Sequence, residues 1–246
     1  MEPLTTVLQS GLIFVVGLLL RFLLALAVLA VLVVPLFLAF TGVRGLERLR
    51  DRLTGLARAG HLWWRRGVYY APGHTWVKER DGRTVRVGLD DLAQRMLVGL
   101  RGVRVVEPGT TVYRGQVLAD VDLGDRHATI AAPVDATVVS ANTALAGDAD
   151  LVHRDPYRRG WLAVLAPLTR DYAGLRTGEL ARGWLEDEDV RFGRFLEHEL
   201  GMAAADGGDF VMPPARILRP EQWNALTREF LGTIDHREDV APVVKS

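Results

Sequence analysis

The stretch Thr84-Val85-Arg86-Val87-Gly88-Leu89-Asp90-Asp91-Leu92-Ala93-Gln94 decides the fold class of this chain. Its first half alternates polar and apolar residues with the period of two that is typical of a half-buried β-strand. Over residues 90–99 the apolar residues recur instead at helical spacing, at Leu92, Ala93, Met96 and Leu97. A second alternating run, Ala136-Thr137-Val138-Val139, predicts another strand. A short helix among several strands predicts an α+β fold with a β-rich domain over residues 69–168.

Six short motifs in this domain resemble, in the same order, those of the glycine-cleavage H-protein family. They are His74-Thr75-Trp76-Val77, Gly88-Leu89-Asp90-Asp91-Leu92-Ala93-Gln94, the turn glycines Gly109 and Gly115, Pro133-Val134, Asn142 with Leu145, and Asp155-Pro156-Tyr157 with Gly160-Trp161-Leu162. Each motif is weak alone, but six in order are specific. The resemblance implies the barrel-sandwich hybrid fold of lipoyl-like domains, and it covers residues 69–168 of the 246.

The resemblance also implies where a carrier group would be attached. In the family, a lysine at the tip of a hairpin, eight positions before the proline, forms the amide that tethers a lipoyl arm, and that position here is Asp125. Asp122 falls where the family has a glutamate that the lipoylating enzyme recognises. Residues 118–129 contain no lysine, so a shift of one residue in the alignment changes nothing. We therefore expect no covalently bound cofactor and no catalytic residue, so the chain is not an enzyme.

Composition excludes several other classes of function. The absence of cysteine rules out disulfides, thiolate metal sites and cysteine nucleophiles. Thirty basic residues balance thirty acidic ones, which gives no indication of a nucleic-acid partner. The six histidines show no spacing typical of a metal site, and no phosphate-binding loop or nucleophile elbow indicates a small-molecule substrate.

The N-terminal region, residues 1–43, is predicted to anchor the chain in a membrane. Residues 22–40 are nineteen consecutive uncharged residues, which reach about 28 Å as a helix and match the bilayer core. Pro35 is expected to kink this span, and Arg21 at its edge either extends towards the headgroups or pairs with a neighbouring subunit. Residues 11–20 either extend the span or lie on the interface.

The basic residues after the span predict its orientation. Several arginines follow it, and the only basic residue before it is Arg21 at its edge, so the C-terminal part is expected to lie in the cytoplasm, with the single span in a bacterial inner membrane. Residues 44–68 are predicted to form a basic amphipathic helix, because leucines recur at steps of three and four. That helix lies either on lipid or against the soluble domain. The residues expected to contact membrane or partner are Arg21, Pro35, Arg44, Arg48, Trp63 and Trp64.

Residues 169–246 form an extension that the resemblance does not cover, and they are predicted to be mostly helical. One helix is expected to start in the acidic run Glu186-Asp187-Glu188-Asp189 and to end at Leu200. A second is expected to start at Pro220 and to end before Gly232. These helices either pack on the β-rich domain or clasp another subunit.

Together these features predict a non-catalytic accessory or scaffold subunit of a larger membrane protein complex, such as a respiratory or photosynthetic assembly. Its expected partners are the membrane and other integral membrane subunits, and lipids, pigments or cofactors of the host complex are expected only at the span. The alternatives are a carrier protein with another attachment chemistry and a transient assembly factor.

Overall fold

The computed structural model describes residues 14–29, 33, 55–200 and 213–232, which fall in two compact units, Met1–Thr54 and Gly55–Ser246. In the first unit, residues 14–29 are helical (α1). No helix within the described residues combines the length and the apolar character needed to span a bilayer. The predicted span 22–40 lies only partly within them, so it stays a prediction. Pro35, Arg44 and Arg48 lie outside the described residues.

The second unit is β-rich, as predicted. Its strands are β1 (Leu56–Ala59), β2 (Leu62–Arg65), β3 (Tyr69–Ala71), β4 (Thr75–Glu79), β5 (Val85–Leu89), β6 (Gly102–Val105), β7 (Thr111–Val112), β8 (Val117–Asp122), β9 (His127–Ala131), β10 (Ala136–Ala141) and β11 (Ala163–Pro167). These strands form three sheets. The hairpin β1–β2 is a two-stranded sheet, the six-stranded sheet has the order β3-β4-β5-β11-β10-β7, and the three-stranded sheet has the order β6-β8-β9. Each described pairing of neighbouring strands is antiparallel.

Helices complete the second unit and enclose much of its core. They are α2 (Asp91–Met96), α3 (Ala144–Gly147), α4 (Leu151–Arg154), the 3₁₀ helix Asp171–Gly174, α5 (Gly178–Leu200), α6 (Pro214–Ile217) and α7 (Pro220–Leu231). One core cluster joins α2, α5 and α7 to residues of all three sheets, and it includes Trp64, Trp76 and Trp223. A second cluster, around Val87 and Leu118, fills the space beside the six-stranded sheet.

The predicted strand-and-helix stretch is confirmed. The alternating run becomes β5, and Asp90 caps α2 by accepting a hydrogen bond from the Ala93 amide. The C-terminal prediction of a helix from Pro220 is also confirmed: proline occupies the first turn of α7, and Gly232 ends the helix with a left-handed φ of 61°. The described part of the extension packs on the β-rich domain, which is one of the two predicted alternatives.

The amphipathic helix predicted over residues 44–68 is wrong for its second part. Residues 56–65 form the hairpin β1–β2 instead, and residues 44–54 lie outside the described part. The turn of the hairpin needs a positive φ, which Gly60 supplies at 59°. On β2 the buried residues Leu62 and Trp64 alternate with half-buried Trp63 and Arg65, which is the period of a strand.

The predicted start of the first C-terminal helix is also wrong, because α5 begins at Gly178, eight residues before the acidic run. The acidic side chains lie in the middle of the helix, and three of them have a specific partner. Glu186 pairs with Arg182, Glu188 with His74 and Arg191, and Asp189 with His61. These contacts, and not the helix dipole, account for these three acidic residues.

Gly160 gives a direct test of the packing in the turn that precedes Trp161. A Cβ atom at this position would lie 2.2 Å from the carbonyl oxygen of Leu151, and that backbone atom cannot move aside as a flexible side chain would. We expect Gly160→Ala to lower the free energy of unfolding by about 1–3 kcal/mol or more, measured by urea denaturation. Gly147→Ala is the control, since nothing lies within 4 Å of its added methyl group. Equal stabilities of the two variants would contradict the packing.

Candidate functional site

The hairpin β8–β9 carries the position at which the resemblance places a carrier group. Its tip, residues 122–127, turns through the two-residue loop Gly124-Asp125, and the Leu123 amide donates a 2.9 Å hydrogen bond to the Arg126 carbonyl oxygen. Gly124 has a φ of 98°, which suits the first position of such a loop. Asp125 is exposed at the second position. Asp125 therefore lies at the end of a solvent-facing hairpin.

The C-terminal segment, residues 213–232, contacts this hairpin at two points. The indole Nε1 of Trp223 donates a 2.8 Å hydrogen bond to the carbonyl oxygen of His127. The Arg126 guanidinium donates another, also of 2.8 Å, to the carbonyl oxygen of Leu218. Because β9 is an edge strand of its sheet, the Trp223 bond satisfies a backbone group that no neighbouring strand reaches. One flank of the hairpin is thus fixed to the extension.

A buried histidine cluster, formed by His74, Asp90 and Glu188, connects three separate elements. His74 Nδ1 lies 2.9 Å from Asp90 Oδ2, and both side chains are fully buried. His74 Nε2 lies 3.3 Å from Glu188 Oε2 on α5. The imidazole also stacks on Trp184, with 5.0 Å between ring centroids. The cluster therefore ties the turn between β3 and β4 to the start of α2 and to the middle of α5.

The surroundings of His74 favour its charged form. Burial alone lowers the pKa of the imidazole, but the charge of Asp90 and the hydrogen bonds to Asp90 and Glu188 outweigh burial and raise the pKa from 6.5 to about 9. Burial alone would raise the pKa of Glu188, yet hydrogen bonds from His74 and Arg191 lower it. An imidazolium bonded to two carboxylates is a structural ion-pair network, and no described residue gives it a reacting partner.

The sequence model of the family described as Glycine cleavage H-protein matches residues 68–187. The glycine cleavage system H protein 2 of Aquifex aeolicus is 34% identical over 133 residues, which cover 51% of this chain and 83% of that protein. The chain belongs to the glycine cleavage H-protein family. The H protein of Mycobacterium avium is 37% identical over 125 residues, covering 49% of this chain and 95% of the relative.

A solved structure of a glycine cleavage system H protein from Mycobacterium marinum also aligns with this family member. It is 28% identical, covers 45% of this chain and 97% of its own, and gives a TM-score of 0.40. The family match ends at residue 187, so α6 and α7 lie beyond it. The hydrogen bonds of Trp223 with His127 and of Arg126 with Leu218 thus join the H-protein domain to a part of the chain outside the match.

The remaining predicted contact residues of this H-protein relative have different environments. Arg21 is exposed on α1. Trp64 is only 1% exposed and belongs to the core, so the prediction that it contacts membrane or partner is wrong. Adjacent residues on a strand point to opposite faces, so Trp63 faces the other way and stays half-buried. Sequence reasoning missed the histidine cluster, because Glu188 follows His74 by 114 residues.

The pH dependence of stability gives a test of the histidine cluster. Because His74 binds its proton more tightly in the folded state, its contribution is fully present below pH 6.5 and is lost as the pH rises through about 9. We expect the free energy of unfolding to fall across this window by at most about 1.4 kcal/mol per pH unit. Urea denaturation at several pH values measures it, and His74→Asn is the control that lacks this slope. A flat profile from pH 6.5 to 9 in the unaltered chain would contradict the assignment.

Proposed function

We propose that this chain is a non-catalytic scaffold subunit of a larger membrane protein complex, anchored by its N-terminal region, with an H-protein domain that docks without a lipoyl arm. The observation that carries the proposal is the exposed Asp125 at the tip of the β8–β9 hairpin. A carboxylate cannot form the amide that would tether the arm. The only lysines of the chain, Lys78 and Lys245, lie outside the hairpin, and Lys78 belongs to strand β4 in the other sheet.

The contacts of the hairpin also favour a docking role. A carrier domain presents its arm on a tip that partner enzymes approach. Here Arg126 and His127, directly after Asp125, bond through side chain or backbone to the C-terminal segment. These bonds fix the tip within its own chain, which suits a constant interface better than a site visited in turn by several enzymes.

The first unit supports the membrane part of the proposal. Helix α1 exposes large apolar side chains on all its faces, among them Phe14, Leu20, Phe22 and Leu24, each at least 60% exposed. A helix that carries Arg21 as its only charged residue and is otherwise apolar on every face requires apolar surroundings, either a bilayer or other helices. Together with the uncharged run 22–40 and the arginines after it, this favours a single span in a bacterial inner membrane with the H-protein domain in the cytoplasm.

Purification of the tagged full-length chain from membranes in mild detergent tests this function. We expect integral membrane proteins to co-purify at constant stoichiometry, identified by mass spectrometry. Intact mass should equal the mass of the sequence, with no adduct on residues 118–129. A lipoylated H protein processed in parallel is the control, since it shows that an adduct survives the preparation.

The alternatives give different results in the same experiment. A covalent group on residues 118–129 would establish a carrier protein and overturn the scaffold proposal. Substoichiometric recovery that changes with growth phase would indicate a transient assembly factor. A stable, monodisperse chain without partners would also overturn the proposal.

A further inference from the structure

The hairpin β1–β2 presents a cationic outer face at the start of the second unit. Ala59, Leu62 and Trp64 point inward and are buried. The opposite face carries Arg58 and Trp63, which are directly opposed across the strands, with the Arg58 guanidinium carbon 4.8 Å from the centroid of the Trp63 ring. Arg65 lies on the same face, and Arg66 is an exposed turn residue directly after β2. We call Arg58, Trp63 and Arg65, together with Arg66, the outer face.

The charge of the outer face is not neutralised within the described part of the chain. Residues 55–68 contain no acidic residue, and no described carboxylate pairs with Arg58, Arg65 or Arg66. The two carboxylates that reach the hairpin bond to residues other than these three arginines. Asp91 accepts from the Trp63 amide and pairs with Arg95, and Asp189 pairs with His61. The hairpin and the residue after it therefore carry three arginines that no described carboxylate neutralises. The Arg58 guanidinium lies over Trp63, and the Arg65 guanidinium carbon lies 5.8 Å from the centroid of the Tyr157 ring.

We propose that the outer face binds anionic lipid headgroups and so places the H-protein domain directly on the bilayer surface. This inference rests on the membrane anchor of the proposed function. Arginine guanidinium groups recognise phosphate through paired hydrogen bonds, and tryptophan favours the depth of the headgroups. A cluster of cations next to a membrane span is attracted to the anionic cytoplasmic surface.

The length of the chain makes this contact reachable. Between the predicted span, which ends at residue 40, and the hairpin lie residues 41–54, which extend at most about 50 Å. The same stretch contains further arginines, including Arg44 and Arg48. The chain thus passes from the predicted span through a basic connection to the cationic hairpin. The apolar interior of a bilayer suits the span, and its anionic surface suits the two basic segments.

Energy transfer in nanodiscs tests the proposal on the full chain. Because the chain has no cysteine, His61→Cys at the turn of the hairpin provides a single site for a donor dye, and headgroup-labelled lipid provides the acceptor. We expect transfer to rise when phosphatidylglycerol replaces part of the phosphatidylcholine. The rise should shrink as salt increases from about 0.1 M to about 1 M, where the screening length falls from about 10 Å to about 3 Å.

Charge variants distinguish the effect of the outer face on energy transfer from the effect of the net charge of the protein. R58E/R65E/R66E, in the labelled chain, should lose the rise in transfer, and the milder R58Q/R65Q/R66Q should lose most of it. The matched control R101E/R104E/R114E reverses three exposed arginines in or beside the strands β6 and β7, and it should keep the rise. Unchanged thermal unfolding of each variant confirms that it is folded.

Each other result overturns the inference. Equal transfer in neutral and anionic nanodiscs would mean that the outer face does not bind anionic lipid and is free for an acidic protein partner. A rise that survives R58E/R65E/R66E would place the lipid contact elsewhere. An alkaline carbonate wash of the membranes distinguishes failure of the lipid contact from failure of the membrane anchor. If the wash removes the chain from the membrane, the chain has no anchor, and the proposed function is overturned as well.

Discussion

His74→Leu should lower the free energy of unfolding by about 3–5 kcal/mol, as expected when one partner of a buried ion pair is removed. His74 and Asp90 are both fully buried, so Asp90 would lose its cationic partner with no access to water. Glu188 would lose its contact with the imidazole at the same time. Three elements that His74 connects would then pack against an aliphatic side chain that satisfies neither carboxylate.

The backbone at His74 makes the control variant important. His74 has a φ of 53°, in the left-handed region, which asparagine tolerates and leucine does not. His74→Asn keeps this tolerance and a hydrogen-bond donor for Asp90 while removing the positive charge, so it should lose less stability than His74→Leu. Urea denaturation of both variants measures the difference. A loss of under about 1 kcal/mol for His74→Leu would contradict the role of the cluster.

Much of the β-rich domain could be predicted because its signals are local. The alternation around Val85 and Val87 gives β5, and Asp90 before the apolar residues gives the start of α2. The position of Asp125 followed from counting back from Pro133, and the structure places it at the tip of a hairpin. The two ends of α7 follow from the backbone preferences of single residues: proline favours the first turn, and Gly232 ends the helix.

The errors arise where distant contacts decide the structure. Leucines at helical steps as far as Leu56 favoured a helix, but the turn at Gly60 and the burial of Trp64 against the rest of the core give a strand. The acidic run of α5 is typical of a helix start, whereas Glu188 and Asp189 pair with histidines more than a hundred residues away in sequence. No periodicity within one segment contains that information.

The second large effect is expected at Trp223, the residue that connects the C-terminal segment to the hairpin. Its side chain is 2% exposed within the core, and its Nε1 donates to the carbonyl oxygen of His127. Trp223→Ala removes the hydrogen bond and leaves a large cavity, so we expect the free energy of unfolding to fall by about 3–5 kcal/mol. Trp223→Phe keeps most of the apolar area and should cost about 1–3 kcal/mol, through the carbonyl group left unsatisfied.

The two Trp223 variants also test whether α7 fixes the hairpin itself. If the indole bond protects the edge of β9, hydrogen exchange measured by mass spectrometry should quicken in the hairpin peptide of Trp223→Phe, while the exchange of β5 stays unchanged. Gly147→Ala is the control. Nothing lies within 4 Å of its added methyl group, so it should leave the exchange rates of both peptides unchanged. Unchanged exchange at the hairpin in Trp223→Phe would mean that the tip is fixed by its own turn alone. In that case the scaffold function would have to rest on Asp125 and the membrane anchor, without the C-terminal segment.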